Sequence, residues 1–172
     1  ISVCYEANEA FYIPIGHKDR TELKKDIVLK KIKPILEDPS IKKVGQNIKY
    51  DFIIFKNNGI ELCSVEDTML LSYTLDAGNN RHNMDILSEL HLGHKTISYK
   101  DLVGSGKKQL NFADVDIKPA TEYAAEDADI TLRLYEFLSE RVSEEKLERI
   151  YEEFEKPMIK ILTRLEMNGL KV

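Results

Sequence analysis

Between Ile41 and Asp76 the chain reads as strand, helix, strand, helix, and that order restricts its fold more than any other feature. "IKKVGQN" and "IELCSVED" are short runs suited to strands, while "IKYDFIIFKNN" and "TMLLSYTLD" carry helical spacing. Gly59 closes the first of these helices. Upstream, "ISVCYEA" and "AFYIPIG" read as a hairpin turned at Asn8-Glu9, with Ile1, Val3 and Tyr5 on one face. Leu23, Ile27, Ile32 and Ile35 recur at helical spacing between Thr21 and Leu36, and Pro34 weakens the last turn. Downstream, "NMDILSELHLG" is a helix with Gly93 past its end, and residues 94–119 read as a loop region with one short helix. A long helix begins at Asp116 or Pro119, and another runs from Ser143 to Asn168, kinked at Pro157. Strands alternating early and helices following late predict an α/β fold with a mixed sheet and a helical C-terminal half.

At 172 residues the chain is long enough for one domain with a real core. Its 42% apolar and 32% charged residues are those of a soluble globular protein. A net charge of −5 excludes a generally basic nucleic-acid coat. It leaves room for a nucleic-acid enzyme whose metal ions supply positive charge at the reacting phosphate. Cys4 and Cys63 have no metal or disulfide spacing and read as small buried hydrophobes, reduced in a cytoplasm. No run reaches the length of a membrane span, and no signal peptide opens the chain.

The stretch "TEYAAEDADITLRLYEFL", Thr121 to Leu138, sets the functional question. At roughly 100° per residue, Ala120, Tyr123, Ile130, Leu134 and Leu138 all fall within about 60° of Asp127. A carboxylate therefore occupies the middle of the apolar seam, while Glu126 and Asp129 point toward positions where acids meet water. The helix after Asn47 repeats the pattern: Asp51 falls within about 60° of Ile48, Ile54 and Phe55. Neither face offers a Lys or Arg. A buried carboxylate needs a cation or several donors, and a shared Mg²⁺ or Mn²⁺ would satisfy both. Tyr123 precedes Asp127 by one turn, so its hydroxyl reaches the same space. Taken singly, Asp51 also fits as a complement to its helix's positive end, Asp127 as a hydrogen-bonded core acid and Tyr123 as a core aromatic. The conjunction is what favours a metal.

"VGQNIKYD", "DTMLLSYTLDAGNNRHNMD", "HKTISYKDLVGSGKKQLNF" and "YAAEDADITLRL" together resemble the proofreading exonuclease domain of the bacterial DNA polymerase I family, and the likeness runs over almost the whole chain. "RLEMNGLKV" at the end resembles that family's passage into the polymerase domain. The resemblance implies a ribonuclease H-like fold and removal of nucleotides from a DNA 3′ end with two divalent cations, Mg²⁺ or, in its place, Mn²⁺ or Zn²⁺. It implies that Asp51 and Asp127 are metal ligands and, with Tyr123 orienting the attacking water, catalytic. It places Gln46, Asn47 and Tyr50 along the single-stranded 3′ end, Arg81 near the terminal nucleotides and Tyr99 beside a base. Asn47 is also a helix N-cap on any reading.

The family's first motif, Asp-x-Glu on its first strand, is not in the sequence, and Glu6 and Glu9 do not replace it. Residues 1–142 are therefore expected to form the exonuclease domain without its first strand and first motif, with 143–172 leading toward a polymerase domain in the same parent chain. Alone, this piece is expected to be nearly inactive. The expected partner is DNA, the state monomeric, the location the bacterial cytoplasm or nucleoid. The alternatives are an inactive exonuclease-like module that supports a polymerase or guides single-stranded DNA, and a ribonuclease D-like RNA exonuclease.

Overall fold

The computed structural model of the chain describes residues 1–18, 23–106 and 109–169. Strands β1 (Ser2–Glu6) and β2 (Glu9–Tyr12) form an antiparallel hairpin with Ser2 opposite Tyr12 and Val3 opposite Phe11. Asn8 adopts φ 69° in the turn, a conformation that Asn tolerates better than most residues. Helix α1 is Lys25–Leu36. It begins later than the spacing predicts, and residues 21 and 22 of the expected helix lie outside the described ones. Strand β3 (Lys43–Gly45) leads into α2 (Lys49–Asn57), and β4 (Val65–Asp67) leads directly into α3 (Thr68–Asp76).

The strand predicted over "IELCSVED" is only its last three residues, because just these pair: Val44 lies opposite Glu66 and Gly45 opposite Asp67, in parallel. The predicted mixed sheet is thus two two-stranded sheets, β1–β2 and β3–β4, with no pairing between them among the described residues. The long α6 (Ile117–Glu144) packs against β1, β2 and β3, spanning both sheets.

Before α6 come α4 (Met84–Leu87), which continues into a π-turn at Ser88–Leu92, and α5 (Tyr99–Val103). After it, Lys146 turns the chain at φ 59°, so the helix expected from Ser143 begins only at α7 (Glu148–Ile150). A π-turn at Tyr151–Glu155 then joins α7 to α8 (Lys156–Asn168). The backbone stays helical through Glu155 and Lys156, and the irregularity beside Pro157 takes the form of the π-turn just before it.

The main core joins Leu71 and Leu87 to Ile130, Leu134, Leu138 and Val142 of α6 and to Tyr151. A second cluster seats Ile48 and Phe52 of α2 on Leu62, Val65 and Ile159. Cys4 and Cys63 are free thiols, half-buried rather than buried. No helix among the described residues is long and apolar enough to cross a membrane.

Candidate active site

Asp127 lies where its helical phase puts it, with buried Ala120, Ala124, Ile130 and Leu134 along the same stripe of α6. Its Oδ1 is buried and has no hydrogen-bond partner. Burial first, then the charges of Glu126 and Asp85, push its carboxyl from the ordinary 3.8 up to about 7, against the lowering effect of the nearby Tyr123 hydroxyl. The Tyr123 hydroxyl is pushed well above the usual phenol range by burial and then by Asp127, so it stays protonated at neutral pH.

The neighbouring acids of α6 do not simply face water. Glu126 accepts from the Ile97 backbone N–H at 2.6 Å and lies 2.8 Å from His94 Nε2. Asp129 accepts from the Asn8 backbone N–H at 2.5 Å and pairs with Arg133. α6 is covered by the hairpin as well as by helices and loops, so its nominally outer acids become anchors for those segments.

Asp51 departs from expectation in the opposite way: its side chain is exposed. The buried arc of α2 is centred on Ile48, Phe52 and Phe55, and Asp51 stands about 60° from that centre, at its rim. The surrounding protein, and then the charge of Asp67, still push it up to about 6. Asn47 does not cap α2. It takes φ 56°, and the helix's first residues carry no side-chain cap of their own. The residues leading into α2 are instead held from another strand: Asp67 accepts from Asn47 N at 2.9 Å and Ile48 N at 3.0 Å, while capping α3 through Met69 N at 2.9 Å. Gly45 has its own steric reason, since a Cβ there would fall 2.8 Å from Ile48 Cγ1.

Gln46 is half-buried, and its carboxamide is committed internally. Its Nε2 donates to the His82 carbonyl at 2.8 Å and its oxygen accepts from Thr68 Oγ1. Tyr50 and Arg81 are exposed. Arg81 borders a groove of about 480 Å³ that Tyr73, His82, Met158 and Leu162 also line. Tyr99 is partly exposed and stacks at 13° on Phe112, with both rings within 6.2 Å of Tyr123. Phe112 escaped the sequence reading because its partners are distant in the chain; only its place in the quoted "QLNF" run drew notice to the segment. Lys107 and Lys108 of that run lie outside the described residues.

The structure therefore shows two groups: Asp127 with Tyr123, Asp85 and Tyr99, and Asp51 with Asp67, Gln46, Asn47 and Tyr50. β3, which leads into the second group, packs against α6, which carries the first. Among the described residues, no set of three or more His, Cys, Asp or Glu side chains is arranged to hold a metal ion. Two hard carboxylates, one with an orphaned buried oxygen, are nonetheless the donor type that a divalent cation takes.

A family model described as 3′-5′ exonuclease matches residues 1–143. The chain belongs to that 3′-5′ exonuclease family. It is 45% identical to the DNA polymerase I of Rhizobium leguminosarum over 95% of its length and 42% identical to that of Pseudomonas aeruginosa over all of it. The corresponding protein of Borreliella burgdorferi is 37% identical over 99% of the chain. The exonuclease chain spans only 17% to 20% of these polymerases. Among solved structures, Brucella melitensis NrnC matches with a TM-score of 0.65 at 19% identity, covering 89% of this chain and 68% of that one. This likeness carries the fold alone: an α/β exonuclease fold of the ribonuclease H-like type. The exonuclease chain is thus a hydrolytic nuclease domain.

Proposed function

We propose that this domain proofreads for a DNA polymerase, hydrolysing the 3′-terminal phosphodiester of DNA and releasing a deoxynucleoside monophosphate. The observation that carries the proposal is the orphaned, buried Oδ1 of Asp127, one helical turn from a hydroxyl kept protonated. A core acid with a structural role would have that oxygen satisfied.

In the reaction a water oxygen attacks phosphorus, the bond to the preceding nucleotide's 3′ oxygen breaks, and that oxygen leaves as a hydroxyl. Tyr123, protonated, orients the water by hydrogen bonding rather than acting as a base. Asp51 and Asp127 would hold divalent cations, Mg²⁺ or in its place Mn²⁺ or Zn²⁺. Bound there, such ions lower the pKa of water and relieve charge on the departing oxygen. The exposed rings of Tyr50 and Tyr99 offer faces for unpaired bases, and Arg81 a charge for a phosphate. Gln46 acts from within, holding the segment beside Arg81.

Two carboxylates do not complete such a site. The split between β1–β2 and β3–β4, both packed against α6, supports a further strand pairing between them and bearing the Asp-x-Glu motif. The relatives named above support a polymerase domain in the same chain beyond residues 143–172 and DNA as the substrate; a monomeric state and a bacterial cytoplasmic location are further parts of the proposal. The names of the relatives favour DNA over the RNA-trimming alternative.

The test is made in the complete polymerase chain. Asp127→Ala abolishes excision from a mismatched primer and leaves nucleotide incorporation intact. Undiminished excision would reject the assignment.

A further inference from the structure

The proposed chemistry leaves unused the most heavily bonded acid in the structure. Asp67 is 3% exposed, the last residue of β4 and the first cap of α3. One oxygen accepts from Asn47 N and Met69 N, the other from Ile48 N. Its own backbone N–H donates to the Tyr151 hydroxyl at 3.1 Å. Next to it, Thr68 is fully buried, and its hydroxyl donates to Gln46 Oε1 with the Gly45 carbonyl 3.2 Å away. Gln46 in turn holds the His82 carbonyl, while the Ser72 hydroxyl lies 2.8 Å from His82 Nδ1.

These bonds share one geometric result. Residues 45–48 are fixed through side chains of the β4–α3 corner, and the segment bearing Arg81 is fixed through Gln46. α2 has no cap of its own, so its starting direction depends on Asp67. Asp51 lies three residues past Ile48, on the first turn of that helix. A tilt at the start of α2 moves Asp51 and Tyr50 together.

Resting on the proofreading function, we propose that Asp67 and Thr68 are positioning residues for excision. They set the orientation of the α2 start, and with it Asp51 and Tyr50, and couple it through Gln46 to the Arg81 segment. Neither residue touches the reacting atoms.

The test again uses the complete polymerase, with single-turnover excision of a mismatched primer as readout and matched-primer extension as the control. Thr68→Val keeps the shape and removes the hydroxyl, whereas Thr68→Ser keeps the hydroxyl. Asp67→Asn keeps the oxygen that accepts from Asn47 N and Met69 N and places an amide NH2 donor against the Ile48 N–H. Misplacement on the ångström scale costs catalysis up to about 100-fold, so Thr68→Val and Asp67→Asn each slow excision by about 10-fold or more. The reaction amplitude stays at the wild-type level, extension is unchanged, and Thr68→Ser excises within about two-fold of wild type, well inside that loss.

A merely structural role would instead lower the amplitude at an unchanged rate, or make Thr68→Ser fail alongside Thr68→Val; either result overturns the proposal. So does wild-type excision by Thr68→Val and Asp67→Asn in a background where Asp51→Ala abolishes it. Wild-type excision by Asp51→Ala itself would instead reject the underlying function.

Discussion

The two sides of α6 are built to different degrees. On its helical side, Leu71, Leu87, Ile130, Leu134 and Leu138 close a core with almost no exposed surface. On the strand side, Tyr5 is 70% exposed and stacks on an exposed Phe11, while Val3 shares that open surface. Elsewhere, helix α1 likewise buries only Val28, leaving Ile27 and Ile35 exposed. Apolar residues that alternate on a strand and recur on a helix face are written for burial. The helical side continues the buried stripe of α6 on which Asp127 lies. The strand side has apolar surface and unpaired edges of the kind a further strand would cover. The same asymmetry appears in the chemistry, where two acids stand where a metal site needs more.

Substitutions can break or sharpen this contrast. The largest effect is expected at Leu134, fully buried: Leu134→Ala lowers the stability of the chain by about 3 kcal/mol, read from urea denaturation. Gly45→Ala follows at about 2 kcal/mol, since the added methyl meets Ile48 in a packed cluster. In the complete polymerase it also slows excision, and Ile48→Ala in the same chain relieves only part of the clash, because its Cβ stays 2.9 Å from the added methyl.

The pH dependence comes next. Asp127 has a folded pKa of about 7 against an ordinary 3.8, so between those values the folded state binds more protons than the unfolded one. Stability contributed by the protonated carboxyl is full at low pH and is lost as pH rises through about 7. Asp127→Asn, measured without divalent cations, flattens that loss by about 2 kcal/mol, discounted because the side chain is only half-buried. An unchanged slope would show that Asp127 is not desolvated.

Tyr151→Phe costs about 1.5 kcal/mol, because it removes the donor to buried Glu66 and the acceptor for Asp67 N. The smallest effect belongs to the strand side: Val3→Ala changes stability by less than about 0.5 kcal/mol, as expected of an exposed position. A cost comparable to that of Leu134→Ala would mean the strand side is already closed.

What the sequence disclosed follows the reach of its signals. The α3 boundaries and the Asp127 stripe follow from local periodicity, which tertiary packing did not disturb. Asp51 was misplaced by one edge of an arc, since its helix is short and packs through Ile48, Phe52 and Phe55. The cap of α2 was assigned to Asn47 because Asn before a helix ordinarily serves that way. No side chain caps α2; the residues before it are held by a carboxylate from 20 residues downstream, across a parallel strand pair. The splitting of the sheet, the anchoring by Glu126 and Asp129, and the Tyr99–Phe112–Tyr123 cluster are all contacts between distant segments, to which periodicity is blind.

The central claim is that Asp51 and Asp127 serve one cation-binding site. Mn²⁺ titration of the complete polymerase, followed through the spin signal of the free ion, tests it with Asp51→Asn, Asp127→Asn and the double variant. If the site is shared, each single change weakens binding by about 10-fold or more and the double variant loses little further. Losses that simply multiply, as for independent sites, would contradict the account.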